Sequence, residues 1–164
     1  MGDDAFDFTG LYRRHAADVF RYALYLSGDH ATAEDLVSET FVRVWGARER
    51  VDIATVRGYL LAIARNLYLQ GLRRRRRETA LDAVPEPAAR DAQAPLEAAV
   101  DVERALAALA NLSESDRTAL LLRVDEELSY DEIAAILGLT PVAARVKVHR
   151  ARARLARILE AKCP

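Results

Sequence analysis

The 164-residue chain is 51% hydrophobic and 30% charged, with a formal net charge of −1. It has only seven Gly and five Pro and is rich in the helix formers Ala, Leu, Arg and Glu, so a helix-rich protein is expected. Its single cysteine, Cys163, excludes an internal disulfide framework and a zinc site built on several thiolates. We expect no metal ion and no other cofactor. No apolar run approaches the roughly 20 residues of a membrane-spanning helix, and the acidic N-terminus lacks an apolar signal core, so we expect a cytoplasmic protein without membrane insertion.

Apolar residues at helical spacing predict three helices in the first half of the chain, at about 8–27, 32–46 and 56–75. Thr32 is the expected N-cap of the second helix, and residues 46–56 have no clear period and are expected to form a loop. The apolar positions expected to supply the core are Leu11, Val19, Ala23 and Leu26 on the first helix, Leu36, Phe41, Val42 and Trp45 on the second, and Leu60, Ile63, Ala64 and Leu67 on the third.

A linker is predicted at 79–95, where three Pro and many Ala occur without apolar periodicity. It divides the chain into domains at 1–78 and 96–164, so the expected fold is all-α, with two small helical domains joined by a flexible linker. A chain of this length reaches about 55 Å when fully extended. As a flexible coil it averages about 20–25 Å from end to end.

The second domain contains, after two further helices, the pattern of a helix-turn-helix at 131–155. Ser129 and Glu132 form a capping box that opens a short helix. Gly138 suits the left-handed position at the end of this helix, and Thr140 suits the N-cap of a longer, basic helix. The alternative is a cationic surface helix without a role in DNA binding. The capping box, the turn and the basic helix follow one another at the spacing of a helix-turn-helix, and this favours the motif.

The basic helix carries candidates for DNA contact, because recognition helices meet base edges with their N-terminal part in the major groove. The apolar positions of this helix are Val142, Val146, Leu155 and Ile158. The candidates for base edges and nearby phosphates are Arg145, His149 and Arg150, with the neighbouring Lys147 included for its charge. Side chains further along are expected to meet phosphates or solvent, namely Arg152, Arg154 and Arg157.

The charges form two cationic segments in an otherwise acidic chain. Residues 57–77 hold seven basic and no acidic side chains, and residues 133–164 hold seven basic and one acidic. By contrast, residues 1–56 hold ten acidic and six basic side chains, and residues 78–132 hold fourteen acidic and four basic. Two separate contacts with a polyanion are therefore expected, while the acidic remainder opposes indiscriminate binding to DNA.

The first cationic segment combines phosphate-binding residues with aromatic ones. Tyr59 and Tyr68 are candidates for stacking on unpaired bases, and Asn66 for a hydrogen bond to a base edge. Tyr59 is equally compatible with the core, where Trp45 is expected, and an arginine run can also be a solvated face. The candidates for phosphate contact are Arg57, Arg65 and the run at 73–77, which includes Arg73 and Arg74.

Three motifs in this order resemble the extracytoplasmic-function (ECF) sigma factors of bacterial RNA polymerase, over nearly the whole chain apart from the linker. Residues 33–45 are similar to region 2.2 of that family, residues 57–66 with the following arginines to regions 2.3 and 2.4, and residues 131–155 to region 4.2. The resemblance implies an alternative sigma factor, not an enzyme, that binds core polymerase and directs promoter-specific transcription initiation.

The resemblance also implies partners. Region 2.2 of the family docks on the β′ clamp helices, and the matching exposed positions here include Asp35, Leu36 and Glu39. Without the family resemblance, the two carboxylates would be interpreted as an ordinary solvated face. The β flap and an inhibitory anti-sigma factor, able to hold the protein at the membrane, are further implied partners. The implied −10 contacts lie beside a base pocket at 46–56 and include Arg57, Arg65 and Asn66. The implied −35 contacts are Arg145, Val146, His149 and Arg150.

Two departures from the family pattern have physical consequences. Gly71 lies within the third helix, where Gly costs about 1 kcal/mol relative to Ala, so this helix is expected to fray towards its arginines. Val146 replaces a common small polar residue; it suits contact with a thymine methyl group, so the usual −35 sequence is not assumed.

Two other classes of function are weighed against the sigma factor. A self-sufficient helix-turn-helix regulator with a helical sensor domain would bind its operator tightly without polymerase, usually as a dimer. A helical hydrolase with a basic substrate site would need a nucleophile and a base close together. The sequence shows no such constellation, and the histidines His15, His30 and His149 are scattered.

Overall fold

The computed structural model describes residues 6–52, 55–81 and 96–161, with side chains in the last range from Val100 onwards, and the described part of the chain is built from α-helices without strands. The all-α prediction is therefore confirmed. A 3₁₀ turn, Arg48–Arg50, follows the second helix. The helices are α1 (Phe8–Ser27), α2 (His30–Gly46), α3 (Val56–Leu81), α4 (Leu96–Leu109), α5 (Glu114–Val124), α6 (Tyr130–Leu137) and α7 (Pro141–Ala161).

The turn between α1 and α2 is shorter than predicted. The bounds of α1 agree with the prediction, but α2 begins at His30, so Thr32 lies in the first turn of the helix and its assignment as N-cap was wrong. The Ser27 hydroxyl accepts a hydrogen bond from the Asp29 backbone N–H at 3.2 Å, and Gly28 adopts a φ of 71°. This left-handed turn reverses the chain within two residues, and the helix starts directly after it.

Helix α3 continues through its arginines to Leu81, which corrects both its predicted end at 75 and the expected fraying. Arginine is itself a good helix former. In addition, Arg74 and Glu78 form an i,i+4 ion pair at 3.8 Å, and the Thr79 hydroxyl donates to the Arg75 carbonyl at 2.8 Å. Residues 79–81 therefore belong to the helix and not to the linker, and the rest of the predicted linker lies outside the described residues.

The described residues form two compact units. The first contains α1 up to Ala23, α2 from Ala31, and α3. Its buried side chains recur every three or four residues along each helix, which is the pattern of a helix with one face in a core. The buried apolar residues of this unit are Leu11, Val19, Tyr22 and Ala23 on α1, Ala33, Leu36, Val37, Phe41 and Val44 on α2, and Val56, Leu60, Leu61, Ala64 and Tyr68 on α3.

Two residues of α2 that were predicted in the core lie at the surface. Val42 is 63% exposed and Trp45 is 48% exposed. The core face of α2 is fixed by its deeply buried positions, and Val42 lies on the opposite side of the helix. The Trp45 ring instead packs edge-on against Phe8, with ring centroids 5.3 Å apart, and lies under the Arg48 guanidinium at 4.6 Å.

The second unit contains Leu24–His30 and α4 to α7. Helix α7 packs against both α5 and α6. The predicted capping box is confirmed, because Ser129 accepts from the Glu132 backbone N–H while the Glu132 carboxylate accepts from the Ser129 N–H. Gly138 has the left-handed φ of 66°, and the Thr140 hydroxyl caps α7 by accepting from the Ala143 N–H at 3.2 Å. Short helix, tight turn and long helix therefore form as predicted.

None of the helices in the described part of the chain is long and apolar enough to cross a membrane.

Candidate nucleic-acid interface

The inner and outer faces of α7 differ from the predicted pattern. Its buried residues are Ala144, Val148 and Ala151, which are spaced at i, i+4 and i+7. Val142 is 74% exposed, so its assignment to the apolar surface of the helix was wrong, whereas Val146 is 42% exposed, as a base-facing residue has to be. Small side chains at two of the three buried positions let α7 lie close to its neighbours, and the predicted apolar residues Leu155 and Ile158 are half-buried.

The outer face of α7 carries most of the residues predicted to contact DNA. His149 and Arg150 are exposed on it, and Val146 lies between them and the N-terminus of the helix. Arg145 is also exposed, with its guanidinium carbon 5.5 Å from the centre of the Tyr130 ring on α6. The face therefore combines hydrogen-bond donors for phosphates and base edges with one apolar side chain that suits a thymine methyl group.

Lys147 is engaged within the protein. Its ammonium group lies 2.9 Å from the Asp116 carboxylate on α5, and both side chains are about three-quarters buried. Partial burial on its own raises the pKa of Asp116. The hydrogen bonds from Lys147 and Ser113 and the charges of Lys147 and Arg154 outweigh this effect, so the pKa lies below its ordinary value of 3.8. Lys147 thus braces α7 against α5 in this structure, although it was predicted as a DNA contact.

Replacing Asp116 with Asn is expected to destabilise the second unit by about 1 kcal/mol at pH 7, because Lys147 loses its charged partner. A lowered carboxylate pKa adds stability above the ordinary value of 3.8, and this stability is lost as the pH falls through the folded-state pKa. The wild-type unfolding free energy should therefore fall more steeply below about pH 4 than that of Asp116→Asn. Denaturant unfolding between pH 7 and pH 3 measures both effects, with the exposed Asp101→Asn as the matched control. Parallel pH curves for Asp116→Asn and wild type would contradict the assignment.

Arg57 lies in a charged cluster between α1 and α3. Its guanidinium is 3.7 Å from the Asp18 carboxylate, which is also 3.4 Å from Arg21. The pKa of the neighbouring His15 is lowered, mainly by burial. The Asp18 charge raises this pKa, and the charges of Arg14 and Arg57 lower it further. The cluster fixes the start of α3 on α1, and Arg57 presents a guanidinium that is held in place and only partly exposed.

The remaining candidates on α3 differ in their exposure. Tyr59 is 41% exposed, so it lies at the surface, whereas Tyr68 is 8% exposed and was wrongly predicted to be available for base stacking. Asn66 is exposed and Arg65 is half-buried. The run that includes Arg73 and Arg74 is exposed throughout. Because α3 is continuous, these groups lie along one helix, with the arginines at its C-terminal end.

The predicted polymerase-docking residues on α2 do not share one face. Asp35 and Glu39 are exposed one turn apart, but Leu36 is only 7% exposed and packs in the core, which corrects its assignment as an exposed position. The apolar member of the exposed face is Val42, at i+7 from Asp35. Asp35, Glu39 and Val42 together form the acidic stripe of α2. Glu39 also pairs with Arg43 at 3.3 Å, in an exposed i,i+4 geometry of low energy.

Replacing Leu36 with Ala should therefore lower the unfolding free energy by about 2–5 kcal/mol, as other large-to-small core substitutions do. The matched control is Val42→Ala on the exposed side of the same helix, for which a change within about 0.5 kcal/mol is expected. Denaturant unfolding of the purified variants measures both. Equal stability of the two variants would show that Leu36 is not a core residue.

Three residues of these surfaces were missed in the sequence. Tyr130 and Asp116 contact α7 from α6 and α5, and local spacing carries no signal for such contacts between helices. Val42 could have been found, because it follows Asp35 and Glu39 at the i, i+4, i+7 spacing of a single helix face.

The fold and its surfaces define a class: a two-unit helical DNA-binding protein with a helix-turn-helix in the second unit. Residues 11–78 match the family model described as Sigma-70 region 2, and residues 103–155 match that described as Sigma-70, region 4. The chain belongs to the ECF family of RNA polymerase sigma factors. It is accordingly an alternative sigma factor that directs promoter-specific transcription, and sigma factors are non-enzymatic initiation factors.

Curated relatives and solved structures agree with this family. The chain is 37% identical to ECF RNA polymerase sigma factor SigE of Mycolicibacterium smegmatis, covering 94% of this chain and 66% of that protein. It is 33% identical to ECF RNA polymerase sigma factor SigL of Mycobacterium tuberculosis, covering 86% of this chain and 82% of that protein.

Two solved structures are similar in fold. The sigma factor RpoE from Bartonella quintana, solved in complex with the anti-sigma factor NepR, has a TM-score of 0.76 and 28% identity over 95% of this chain and 98% of that chain. CnrH, solved in complex with the cytosolic domain of CnrY, has a TM-score of 0.71 and 26% identity over 94% of this chain and 88% of that chain.

Proposed function

We propose that the two units divide promoter recognition between them. A region 2 domain at 1–78 binds core polymerase and the −10 element, and a region 4 domain at 96–164 binds the −35 element. The observation that carries this proposal is the separation of surfaces: exposed cationic side chains lie on α3 and on α7, while the acidic stripe lies on α2. A polyanion suits the first two surfaces and a basic protein suits the third.

The −35 contact is assigned to the outer face of α7. Arg145, His149 and Arg150 supply donors for base edges and phosphates, and Val146 supplies the apolar contact. Lys147 is not needed in this assignment, since Asp116 holds its ammonium group on the inner side of the helix.

The −10 contact is assigned to α3. Tyr59 offers a partly exposed ring for an unpaired base, and Asn66 offers an amide for a base edge. Arg57 and Arg65 lie half-buried on the same helix, while Arg73 and Arg74 add exposed positive charge at its end. Melting is favoured when unpaired bases gain such contacts, because unstacking is costly in free duplex.

The acidic stripe is assigned to the β′ clamp helices of core polymerase, and the second unit to the β flap. The −10 and −35 elements lie about two helical turns apart, which is roughly 70 Å. The part of the predicted linker beyond α3, residues 82–95, would average only about 19–22 Å as a flexible coil. Docking on polymerase therefore sets the separation of the two readers and supplies their avidity, and the free protein binds promoters weakly.

An anti-sigma factor is the proposed regulator. This chain resembles RpoE and CnrH in fold. RpoE was solved with the anti-sigma factor NepR, and CnrH was solved with the cytosolic domain of CnrY. An inhibitor that covers the acidic stripe or the outer face of α7 would keep the protein from polymerase or DNA. Such an inhibitor would hold the sigma factor in the cytoplasm, or at the membrane if the inhibitor is itself anchored there.

Footprinting on a transcribed genomic fragment tests the division of labour. Core polymerase with the chain should protect the −35 region and make thymines near −10 reactive to permanganate. Core polymerase alone and the chain alone should do neither at the same concentrations. A complete footprint from the chain alone, without melting, would instead favour a self-sufficient regulator.

A further inference from the structure

Two arginines converge on the ring of Tyr130 at the junction of the helix-turn-helix. The guanidinium carbon of Arg123, from α5, lies 4.6 Å from the ring centroid, and that of Arg145, from α7, lies 5.5 Å from it. Both distances are within the roughly 6 Å at which a cation is attracted to an aromatic face. One tyrosine on α6 thus contacts side chains from both α5 and α7.

The position of the Tyr130 ring is fixed by its surroundings. Tyr130 is the first residue of α6, directly after the Ser129–Glu132 capping box, and it is half-buried. Arg123 is held as well, because its guanidinium donates to the Leu128 carbonyl at 3.0 Å. The ring and Arg123 therefore form a rigid platform, and Arg145 is the exposed member of the trio.

We infer that Tyr130 is a positioning residue for promoter recognition: its ring holds the Arg145 guanidinium beside α7 in an orientation prepared for DNA. This inference rests on the proposed function, in which Arg145 contacts the −35 element. An arginine on a helix surface has many rotamers, and fixing it before binding reduces the entropy lost when its hydrogen bonds form. The nearby positive charge of Arg123 adds to the attraction for an anionic or electron-rich ligand, such as a phosphate or a guanine edge.

The contact requires an aromatic face and not merely apolar bulk. Tyr130→Phe keeps the ring, whereas Tyr130→Leu fills similar space without it. Tyr130→Met serves as a second variant without a ring if Tyr130→Leu is poorly folded. Thermal unfolding of each variant shows whether the helix-turn-helix is intact before its binding is measured.

The experiment measures the affinity of holoenzyme, reconstituted from core polymerase and the full chain, for one genomic promoter fragment that it transcribes. Arg145→Ala should weaken binding, and Tyr130→Leu should weaken it roughly 2- to 5-fold, as expected for loss of a surface cation–π contact. Tyr130→Phe should bind like wild type. In the Arg145→Ala background, Tyr130→Leu should have no further effect, because the contact has already been removed.

The possible failures are distinguishable. Unchanged binding by Arg145→Ala would overturn the −35 assignment of Arg145 and this inference with it. Weakened binding by Arg145→Ala together with unchanged binding by folded Tyr130→Leu would overturn the inference alone. The inference also fails if Tyr130→Leu weakens binding equally with and without Arg145, since the ring would then act only on the fold.

Discussion

The double substitution Asp35→Arg/Glu39→Arg is expected to abolish binding to core polymerase, with a loss in affinity of more than about 100-fold, because like charges across an interface cost several kcal/mol. Both carboxylates are exposed on one side of α2 and contribute no core packing, so the fold should survive. Glu39 loses only its exposed pair with Arg43, which contributes little to stability. The affinity of labelled protein for core polymerase measures the effect directly.

The matched control is Glu49→Arg/Glu78→Arg, which makes the same change in net charge at two exposed positions of the first unit outside the acidic stripe. This variant should bind core polymerase like wild type. Equal loss in both variants would show that bulk charge governs binding. Undiminished binding by Asp35→Arg/Glu39→Arg would remove the acidic stripe from the polymerase interface.

The second large effect is expected from Arg73→Gln/Arg74→Gln on α3. Each phosphate contact contributes about 0.7–0.9 to the slope of log affinity against log salt concentration. Losing two contacts should therefore reduce this slope by about 1.4–1.8 and weaken holoenzyme binding to promoter DNA roughly 25- to 60-fold at 0.1 M salt. The helix should persist because Gln is also a good helix former, and the pair of Arg74 with Glu78 is largely exposed.

Holoenzyme affinity measured at several salt concentrations separates this effect from a loss of folding. Arg13→Gln/Arg14→Gln, at two exposed positions of α1, removes the same charge and should leave the salt slope nearly unchanged. If the slope is the same for wild type and Arg73→Gln/Arg74→Gln, the arginines are a solvated surface and not a DNA contact.

Local signals explain why the helix-turn-helix was predictable. The capping box at Ser129 and Glu132, the left-handed Gly138 and the Thr140 cap each depend on residues within a few positions of one another. The C-terminal end of α3 was less predictable, since good helix formers follow Gly71 and the i,i+4 pair of Arg74 and Glu78 adds a small stabilisation beyond the predicted end.

Burial of individual side chains was harder to predict because it depends on which side of a helix meets its neighbours. Leu36 and Val42 are both apolar residues of α2, but only Leu36 lies on the core side. Trp45 stays at the surface because Phe8 and Arg48 contact its ring there. A one-dimensional pattern assigns apolar residues to the core by type, and it cannot separate these cases when an apolar residue occurs on every side.

Contacts between helices were beyond local reasoning. Lys147 was expected to face DNA because of its charge and its place in the recognition helix, yet Asp116, 31 positions earlier, holds it at 2.9 Å. Tyr130 was part of a capping motif, and its contact with Arg145 depends on the packing of α6 against α7. Family resemblance supplied the roles of the helices, and the structure distinguishes which side chains on them are exposed.

Run-off transcription on fragmented genomic DNA from the source organism tests the sigma-factor function most directly. Bacterial core polymerase should produce new, discrete transcripts only when the chain is added, and these should disappear with Asp35→Arg/Glu39→Arg. An absence of new transcripts, together with nanomolar DNA binding by the chain alone, would contradict promoter recognition through polymerase and indicate a self-sufficient regulator.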